Sequence, residues 1–450
     1  MMEALPLVFF GVVQALMLFL FATGAAAFGA LLKGCYVLRR MSRGSTRDDS
    51  AVLLKSPLLP VVSVVATPRD VSPETRDFIR RLIGLHYSEH EVVVVLDGPS
   101  PLEMQTWEQE FRLSRSYRAA VRDRSPALPT AAIRGVYESR DPLRLVVVDK
   151  EAGGKTDAWN AAVNASAGSV IALFDPQSEF VPDALLRLIR PMLENPRETT
   201  AVCGIAPGPA GEGWAGRFAA IETLRMWLAR CAAFAGWKML APVPGSAVLV
   251  GRDVVLQAGG FTAGPLELFL QLHGLARAQG KTYAVGFVAA PVSYLRAPRS
   301  ISGLRRMVER DQREIGRAFA HRKSITMGVG AIGWGMPALI AMRLLRPLAE
   351  TAVYPLTAAG LVLGWVPVEL AALVLMATIG TGILLCMAAV VLRELAQYRG
   401  SDPGQLSRLF FAAIPENLGY RQVRNLWLIG AFFQGIKAGK QNQKRVSAPR

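Results

Sequence analysis

The segment Glu91-Val-Val-Val-Val-Leu-Asp-Gly98 decides the fold, because a continuous run of apolar, mostly β-branched residues is typical of a strand buried on both faces. Val61 to Ala66 and Leu143 to Val148 are similar runs, and helix-like stretches separate the three. This alternation predicts an α/β domain with a mostly parallel sheet and helices on both of its faces.

Two carboxylates follow strands of this predicted sheet. Asp97 ends the quoted strand, and Asp175 comes directly after the strand-like run from Ser169 to Phe174. In open parallel sheets, ligands bind beyond the carboxyl ends of the strands, so we expect both side chains at one pocket. No GxGxxG or Walker loop follows these predicted strands, which argues against a dinucleotide site or a P-loop site at this pocket.

The N-terminal segment predicts a membrane span. No charged residue lies between Ala4 and Leu32, and a spanning helix needs about 20 apolar residues. The basic residues follow this run instead of preceding it, which argues against a cleaved signal peptide. The positive-inside rule then places the short N-terminus outside and the large middle region in the cytoplasm of a bacterial inner membrane.

A second apolar block contains three candidate spans, at 325–342, 351–368 and 370–392. Three spans would leave the basic C-terminal tail outside, where the positive-inside rule does not favour it. Two arrangements would return the tail to the cytoplasmic side. In one, 351–392 forms a hairpin of two spans and 325–346 lies at the membrane interface. In the other, part of 405–435 re-enters the membrane. The stretch 406–436 mixes apolar and charged residues, as interfacial helices do.

The composition limits the partners. The chain of 450 residues carries a net charge of +16, and hydrophobic residues make up 51% of it. Such a charge suits anionic lipids or phosphorylated molecules, and without zinc spacing or an RNA-binding signature we expect no nucleic-acid partner. The predicted organisation is a membrane helix at 1–33, a basic linker at 34–56, an α/β domain at 57–324, membrane and interfacial helices at 325–400, and amphipathic helices with a basic tail at 401–450.

The order of short motifs resembles that of the membrane-bound family 2 glycosyltransferases, from about residue 57 to residue 319. The matching elements are Asp97-Gly98, Asp149-Lys-Glu-Ala-Gly-Gly-Lys155 with Asn160, Phe174-Asp175 with Pro182-Asp-Ala-Leu185, Gly245 to Asp253, and Gly259-Gly-Phe261. The resemblance implies a GT-A domain that binds a nucleoside diphosphate sugar, such as a UDP- or GDP-sugar.

The resemblance also implies roles for individual residues. Asp97 would contact the base or ribose, and Gly153, Gly154 and Lys155 would approach the diphosphate. Asp175 would begin an Asp-x-Asp element that holds Mg²⁺ or Mn²⁺ on the diphosphate.

Several motif positions depart from the family pattern. The second metal position is Gln177, whose neutral amide would weaken the site for a divalent cation. The positions of the acidic pair that supplies the general base are Gly264 and Pro265, which leaves Glu267 as a substitute that faces another side of a helix. The Gln-x-x-Arg-Trp element has no counterpart at 309–313, and Arg296 replaces a glutamate.

These losses lead to two hypotheses. The first is a catalytically impaired relative that takes part in polysaccharide or glycoconjugate assembly together with an active glycosyltransferase or an export partner. The second is an active enzyme that transfers a sugar from a nucleotide-sugar donor to a lipid-linked or polysaccharide acceptor, with non-standard base and metal ligands. A membrane-surface scaffold without a ligand is a third alternative.

Overall fold

The computed structural model describes residues 4–43, 59–116, 127–140, 144–208, 211–279, 284–320, 338–396 and 403–447. Their contacts divide the chain into two compact units. The sheet unit contains the described residues of Ser45–Ala206 and Ala241–Arg296, and the helical unit contains those of Met1–Gly44, Pro207–Leu240 and Ala297–Arg450.

The sheet unit is built on strands rich in valine, which pack well on a pleated surface. Its strands are β1 (Val62–Ala66), β2 (His90–Asp97), β3 (Leu113–Arg115), β4 (Ile133–Ser139), β5 (Leu145–Lys150), β6 (Val170–Leu173), β7 (Ser178–Phe180), β8 (Thr199–Gly204), β9 (Ala247–Gly251), β10 (Ala284–Val288) and β11 (Ser293–Leu295). Its helices are Pro73–Ile83, Pro101–Phe111, Lys155–Ala165, Ala184–Glu194, Arg252–Gln257 and Pro265–Ala278.

Nine of the described strands form one sheet in the order β10-β8-β9-β6-β1-β2-β5-β4-β3, and β11 pairs with β7 separately. The central strands β6, β1, β2 and β5 are parallel, as the apolar runs predicted. The flanks are more mixed than predicted, because β3, β4 and β9 run antiparallel to their neighbours. The short link from β4 to β5 explains one such pair, since parallel neighbours need a crossover of about a dozen residues or more.

Helices cover both faces of the central strands, which confirms the predicted α/β layering. One core cluster joins alternate residues of β1 and β2, such as Val64 and Val94, to Ile79 and Trp107 of the helices after those strands. The helix Lys155–Ala165 also packs on β1 and β2 but takes no part in that cluster, and it buries Ala158 and Ala161. β1 is buried along its whole length and β2 from Glu91 to Leu96, as their lack of polar alternation indicated.

The helical unit begins with the helix Ala4–Arg43, which continues past the boundary predicted at residue 33. Its buried residues, such as Val13 and Leu20, pack against Val353 and Val374 of the C-terminal helices. The further helical segments are Gly213–Met226, Trp227–Ala232, Ala233–Gly236, Ile301–Ala320, Ala341–Leu345, Arg346–Val362, Val368–Leu375, Met376–Gly380, Thr381–Leu395, Pro403–Pro415, Glu416–Tyr420 and Arg421–Ser447.

Within the described part of the chain, two helices, Leu5–Ser42 and Val368–Leu395, are long and apolar enough to cross a membrane by length and composition. Three predicted segments lie largely outside the described residues: the span at 325–342, the linker at 34–56 and the end of the basic tail. Segments 207–240 and 297–320, which we predicted within the domain at 57–324, make their contacts in the helical unit. Their amphipathic helices pack against other helices there, for example Ile301–Ala320 against Arg421–Ser447.

Candidate functional site

The structure places Asp97 and Asp175 at the same edge of the sheet. Asp97 ends β2, and Asp175 follows β6 by two residues. Both strands are parallel to β1, which lies between them. Two inter-strand spacings separate the two strand ends by roughly 10 Å. The carboxylates that the sequence placed at strand ends therefore lie at one carboxyl edge.

Asp97 holds the glycine loop through its carboxylate. Its Oδ1 accepts a hydrogen bond from Gly153 N at 2.8 Å, and its Oδ2 accepts one from Gly154 N at 2.8 Å. The ammonium of Lys150 lies 2.5 Å from Oδ1. Burial alone would raise the pKa of Asp97, but the Lys150 hydrogen bond and the two backbone N–H donors together lower it below its ordinary value. Asp97 is therefore ionised at neutral pH and anchors the loop.

Lys150 is the residue of this site that the sequence reasoning missed. Its side chain is fully buried, and its ammonium also lies 2.6 Å from Asp157 Oδ1. Asp157 in turn accepts a hydrogen bond from Ala131 N at 3.0 Å. The parallel register of β2 and β5 pairs Asp97 with Lys150, and the run of apolar residues before Lys150 gave no sign of this pairing because Asp149 follows it first.

The two glycines of the loop are required for different reasons. Gly154 has a φ of +93°, which L side chains rarely adopt, although a Cβ there would meet nothing within 4 Å. At Gly153, a Cβ would lie 2.6 Å from the carboxylate of Asp157. The helix Lys155–Ala165 begins directly after this loop. Gly154 is its N-cap residue, and no side-chain hydrogen bond caps this helix start. The first backbone N–H groups of such a helix attract anions.

Lys155 and Asn160 extend the site along this helix. The exposed Lys155 places its ammonium 4.7 Å from the centre of the Trp159 ring, a cation–π contact. Trp159 is buried against Phe261, as a packing residue would be. Asn160 accepts a hydrogen bond from Phe261 N at 2.8 Å and donates one to Phe261 O at 3.2 Å. The Gly-Gly-Phe motif is thereby joined to the glycine loop.

Asp175 occupies a turn whose backbone engages both of its carboxylate oxygens. Oδ1 accepts from Gln177 N at 3.0 Å, and Oδ2 accepts from Gly245 N at 3.0 Å. Gln177 is exposed. The antiparallel register of β11 and β7 pairs Leu295 with Ser178, and Arg296 and Gln177 are the residues next to this last pair in the sequence.

These residues fit a divalent cation poorly. Hard cations prefer several carboxylate oxygens, and this turn offers the single carboxylate of Asp175 beside the neutral amide of Gln177. Arg296 adds a positive charge, and its Nε lies 3.4 Å from Glu179 Oε1. Among the described residues, no group of three or more His, Cys, Asp or Glu side chains is arranged to hold a metal ion.

Glu267 and His273 both lie on the helix Pro265–Ala278 and are only 2% exposed. His273 is therefore a residue of the core. The substitute-base role of Glu267 stays a prediction, and a carboxylate buried to this degree would require a local opening to reach an acceptor hydroxyl.

Comparisons with known proteins agree with this geometry. Residues 63–249 match the model of glycosyl transferase family 2, and no curated protein matches the chain. The mannosyltransferase PcManGT from Pyrobaculum calidifontis, solved with GDP-Man and Mn²⁺, is 18% identical with a TM-score of 0.51, covering 90% of this chain and 99% of that one.

A second similar structure is Staphylococcus aureus TarS 1–349 in complex with UDP-GlcNAc. It is 12% identical with a TM-score of 0.38, covering 83% of this chain and 92% of that one. At these identities, the likeness to the mannosyltransferase concerns the fold, and TarS adds no further argument. The match to glycosyl transferase family 2 is therefore confined to residues 63–249, and the fold of the chain is of the GT-A type.

Proposed function

We propose that the sheet unit binds the diphosphate of a UDP- or GDP-sugar at the glycine loop, and that the chain is a catalytically impaired glycosyltransferase. The observation that carries the proposal is the double hydrogen bond from Gly153 N and Gly154 N to Asp97, beside an uncapped helix start. A loop held in this way is pre-organised for an anion, which reduces the ordering cost of binding.

The proposal that catalysis is impaired rests on the acidic side chains that the motif positions lack. The motif positions for the base are Gly264 and Pro265, and the nearby Glu267 is buried. A positioned general base contributes about 10²–10⁴-fold to rate, so its loss alone slows transfer greatly. We further propose that donor binding needs no divalent cation, because Gln177 adds no charge to the carboxylate of Asp175 in this turn.

Nucleotide titration tests the binding part. Purified full-length protein in detergent is titrated calorimetrically with UDP- and GDP-sugars, and we expect binding by the wild type. Gly154→Ala should weaken it about tenfold, since the residue must strain at a φ of +93°. Gly274→Ala is the matched control, because a Cβ there also meets nothing within 4 Å and the residue lies in a helix. If the wild type binds none of the nucleotides, the remaining hypothesis is the membrane-surface scaffold without a ligand.

Chelation tests the metal part. We expect equal affinity with EDTA and with Mn²⁺ for the wild type, and a gain of Mn²⁺ dependence in Gln177→Asp, which restores a second carboxylate. A wild-type affinity that EDTA abolishes would contradict this part alone.

The active transferase is the second candidate, and the retained Asp175 at the sheet edge favours it. A transfer assay with a panel of nucleotide sugars separates the two hypotheses. Turnover by the wild type that disappears in Asp175→Ala would reject the impaired enzyme. Co-purification of a second glycosyltransferase with an intact acidic pair would support it and the proposed role in polysaccharide assembly.

The proposed location is the bacterial inner membrane, with the sheet unit in the cytoplasm. The two long apolar helices support a membrane location. Large apolar side chains are exposed along them, including Leu7, Val12, Leu373 and Leu384, and lipid chains would cover such surfaces.

A further inference from the structure

The helical unit contains an unusual set of buried charges. We define the arginine cluster as Arg225, Arg230, Arg343, Arg346, Arg421 and Arg424. It shares the interior of this unit with the carboxylates of Glu222, Asp311, Glu350 and Glu416, and none of these ten side chains is more than 17% exposed. Buried ions are stable only when they are paired and hydrogen-bonded.

One half of this network surrounds Glu222. Its Oε1 lies 3.3 Å from Arg343 Nη1, and its other oxygen contacts Arg424 and Arg225. Arg343 also reaches Asp311, which Arg230 pairs at 2.6 Å. Arg225 also pairs with Glu416 Oε1 at 2.8 Å, so three carboxylates are shared by these four arginines.

The other half surrounds Glu350. Arg346 Nε lies 3.2 Å from Glu350 Oε1, and Arg421 occupies both oxygens of the same carboxylate. Asn425 donates a further hydrogen bond to Oε2 at 2.8 Å. Arg346 thus shares its only ion-pair partner among the described residues with a second arginine that is better placed.

The charges of the cluster do not balance. Six arginines face five carboxylates among the described residues, because Glu314 also acts electrostatically on Arg230, and one positive charge is left in excess. The sequence gives no local remedy near Arg346, because residues 315–349 contain no aspartate or glutamate. Three buried N–H groups of the cluster have no acceptor among the described residues: Nε of Arg343, Nη2 of Arg346 and Nε of Arg424.

We infer that the arginine cluster binds a phosphate group, with Arg346 as its principal ligand. A guanidinium presents a planar fork of donors that matches phosphate oxygens, and the negative charge of a phosphate would offset the excess. The phosphate could be that of an anionic lipid headgroup or of a soluble phosphate compound. This inference is independent of the proposed donor site, which lies in the sheet unit.

Thermal unfolding of the full-length protein tests the inference. The three proteins are the wild type, Arg346→Gln, and the control Arg305→Gln, which removes an exposed arginine paired with Glu309. Arg346→Gln leaves Glu350 with Arg421 and Asn425, so we expect it to fold. In chloride buffer without phosphate, we expect its midpoint to equal or exceed that of the wild type, since an excess charge is removed.

Two additions distinguish the sources of phosphate. Inorganic phosphate in detergent should raise the midpoint of the wild type and of the control by ~3 °C or more if the site takes soluble phosphate. If the site takes a lipid headgroup, the rise should occur in phosphatidylglycerol vesicles and not in phosphatidylcholine vesicles. In both cases Arg346→Gln should lose the rise.

Three results would overturn the inference. The first is an equal shift of all three proteins, which indicates a general salt or lipid effect. The second is the absence of any shift in the wild type. The third is a lower midpoint of Arg346→Gln in chloride with an unchanged response to phosphate, which indicates a structural ion pair.

Discussion

Replacing Lys150 by methionine should destabilise the sheet unit and loosen the glycine loop together. The substitution keeps a long, flexible side chain of similar length, but it removes the ammonium from between Asp97 and Asp157. That ammonium lies 2.5 Å from one carboxylate and 2.6 Å from the other, so the two carboxylates stay within about 5 Å of each other without it.

The magnitude follows from this geometry. Two like charges about 5 Å apart repel by roughly 3 kcal/mol at an effective dielectric constant near 20. Removing one partner of a buried ion pair costs about 3–5 kcal/mol, and the lower end applies because Asp97 is 25% exposed and Asp157 is 14% exposed. We therefore expect a loss of about 3 kcal/mol.

The assay is urea unfolding read by hydrogen exchange of peptides from β2 and β5, because this readout reports the sheet unit separately from the helical unit. Arg144→Met is the control, since it breaks an exposed pair with Glu89 and should change stability by about 0.5 kcal/mol or less. Adding Asp157→Asn to Lys150→Met should recover part of the loss. A loss of stability below about 1 kcal/mol, or no recovery in the double variant, would refute the proposed role of Lys150 between the two carboxylates.

Two further predictions concern packing and pH. Gly435→Ala should destabilise the helical unit by about 1–3 kcal/mol, because its Cβ would lie 2.4 Å from the carbonyl oxygen of Arg313. The control is Gly430→Ala on the same helix, whose Cβ would meet nothing within 4 Å and which should stabilise by about 0.5–1 kcal/mol. Urea unfolding measures both changes, and equal effects of the two substitutions would contradict this packing. The pKa of Asp97 is lowered in the folded protein, so the ionised carboxylate stabilises the fold. This contribution is complete above about pH 4 and is lost as the pH falls through the pKa that Asp97 has in the folded state. Asp97→Asn should therefore flatten the acid limb of the unfolding midpoint measured between pH 6 and pH 3, and an unchanged limb would show that another group controls it.

The sequence predicted the central sheet well because its signal is local. Strands such as Val62–Ala66 and His90–Asp97 are buried on both faces, and burial on both faces leaves a run of apolar residues that needs no partner to be recognised. The edge positions of Asp97 and Asp175 followed from the rule that parallel strands end together. The antiparallel flanks did not follow, because pairing direction depends on connections and neighbours rather than on the strand's own composition.

The sequence by itself determined the apolar runs, the glycine loop and the substitution of glutamine at the second metal position. Only the tertiary structure decided which charges meet. Lys150 looks like an ordinary charged residue after a strand, and burial makes it the partner of two carboxylates 53 and 7 positions away. Likewise, the arginine cluster draws on segments that are far apart in the chain, and the strength of their electrostatic interactions depends on burial and distance, which no local pattern records.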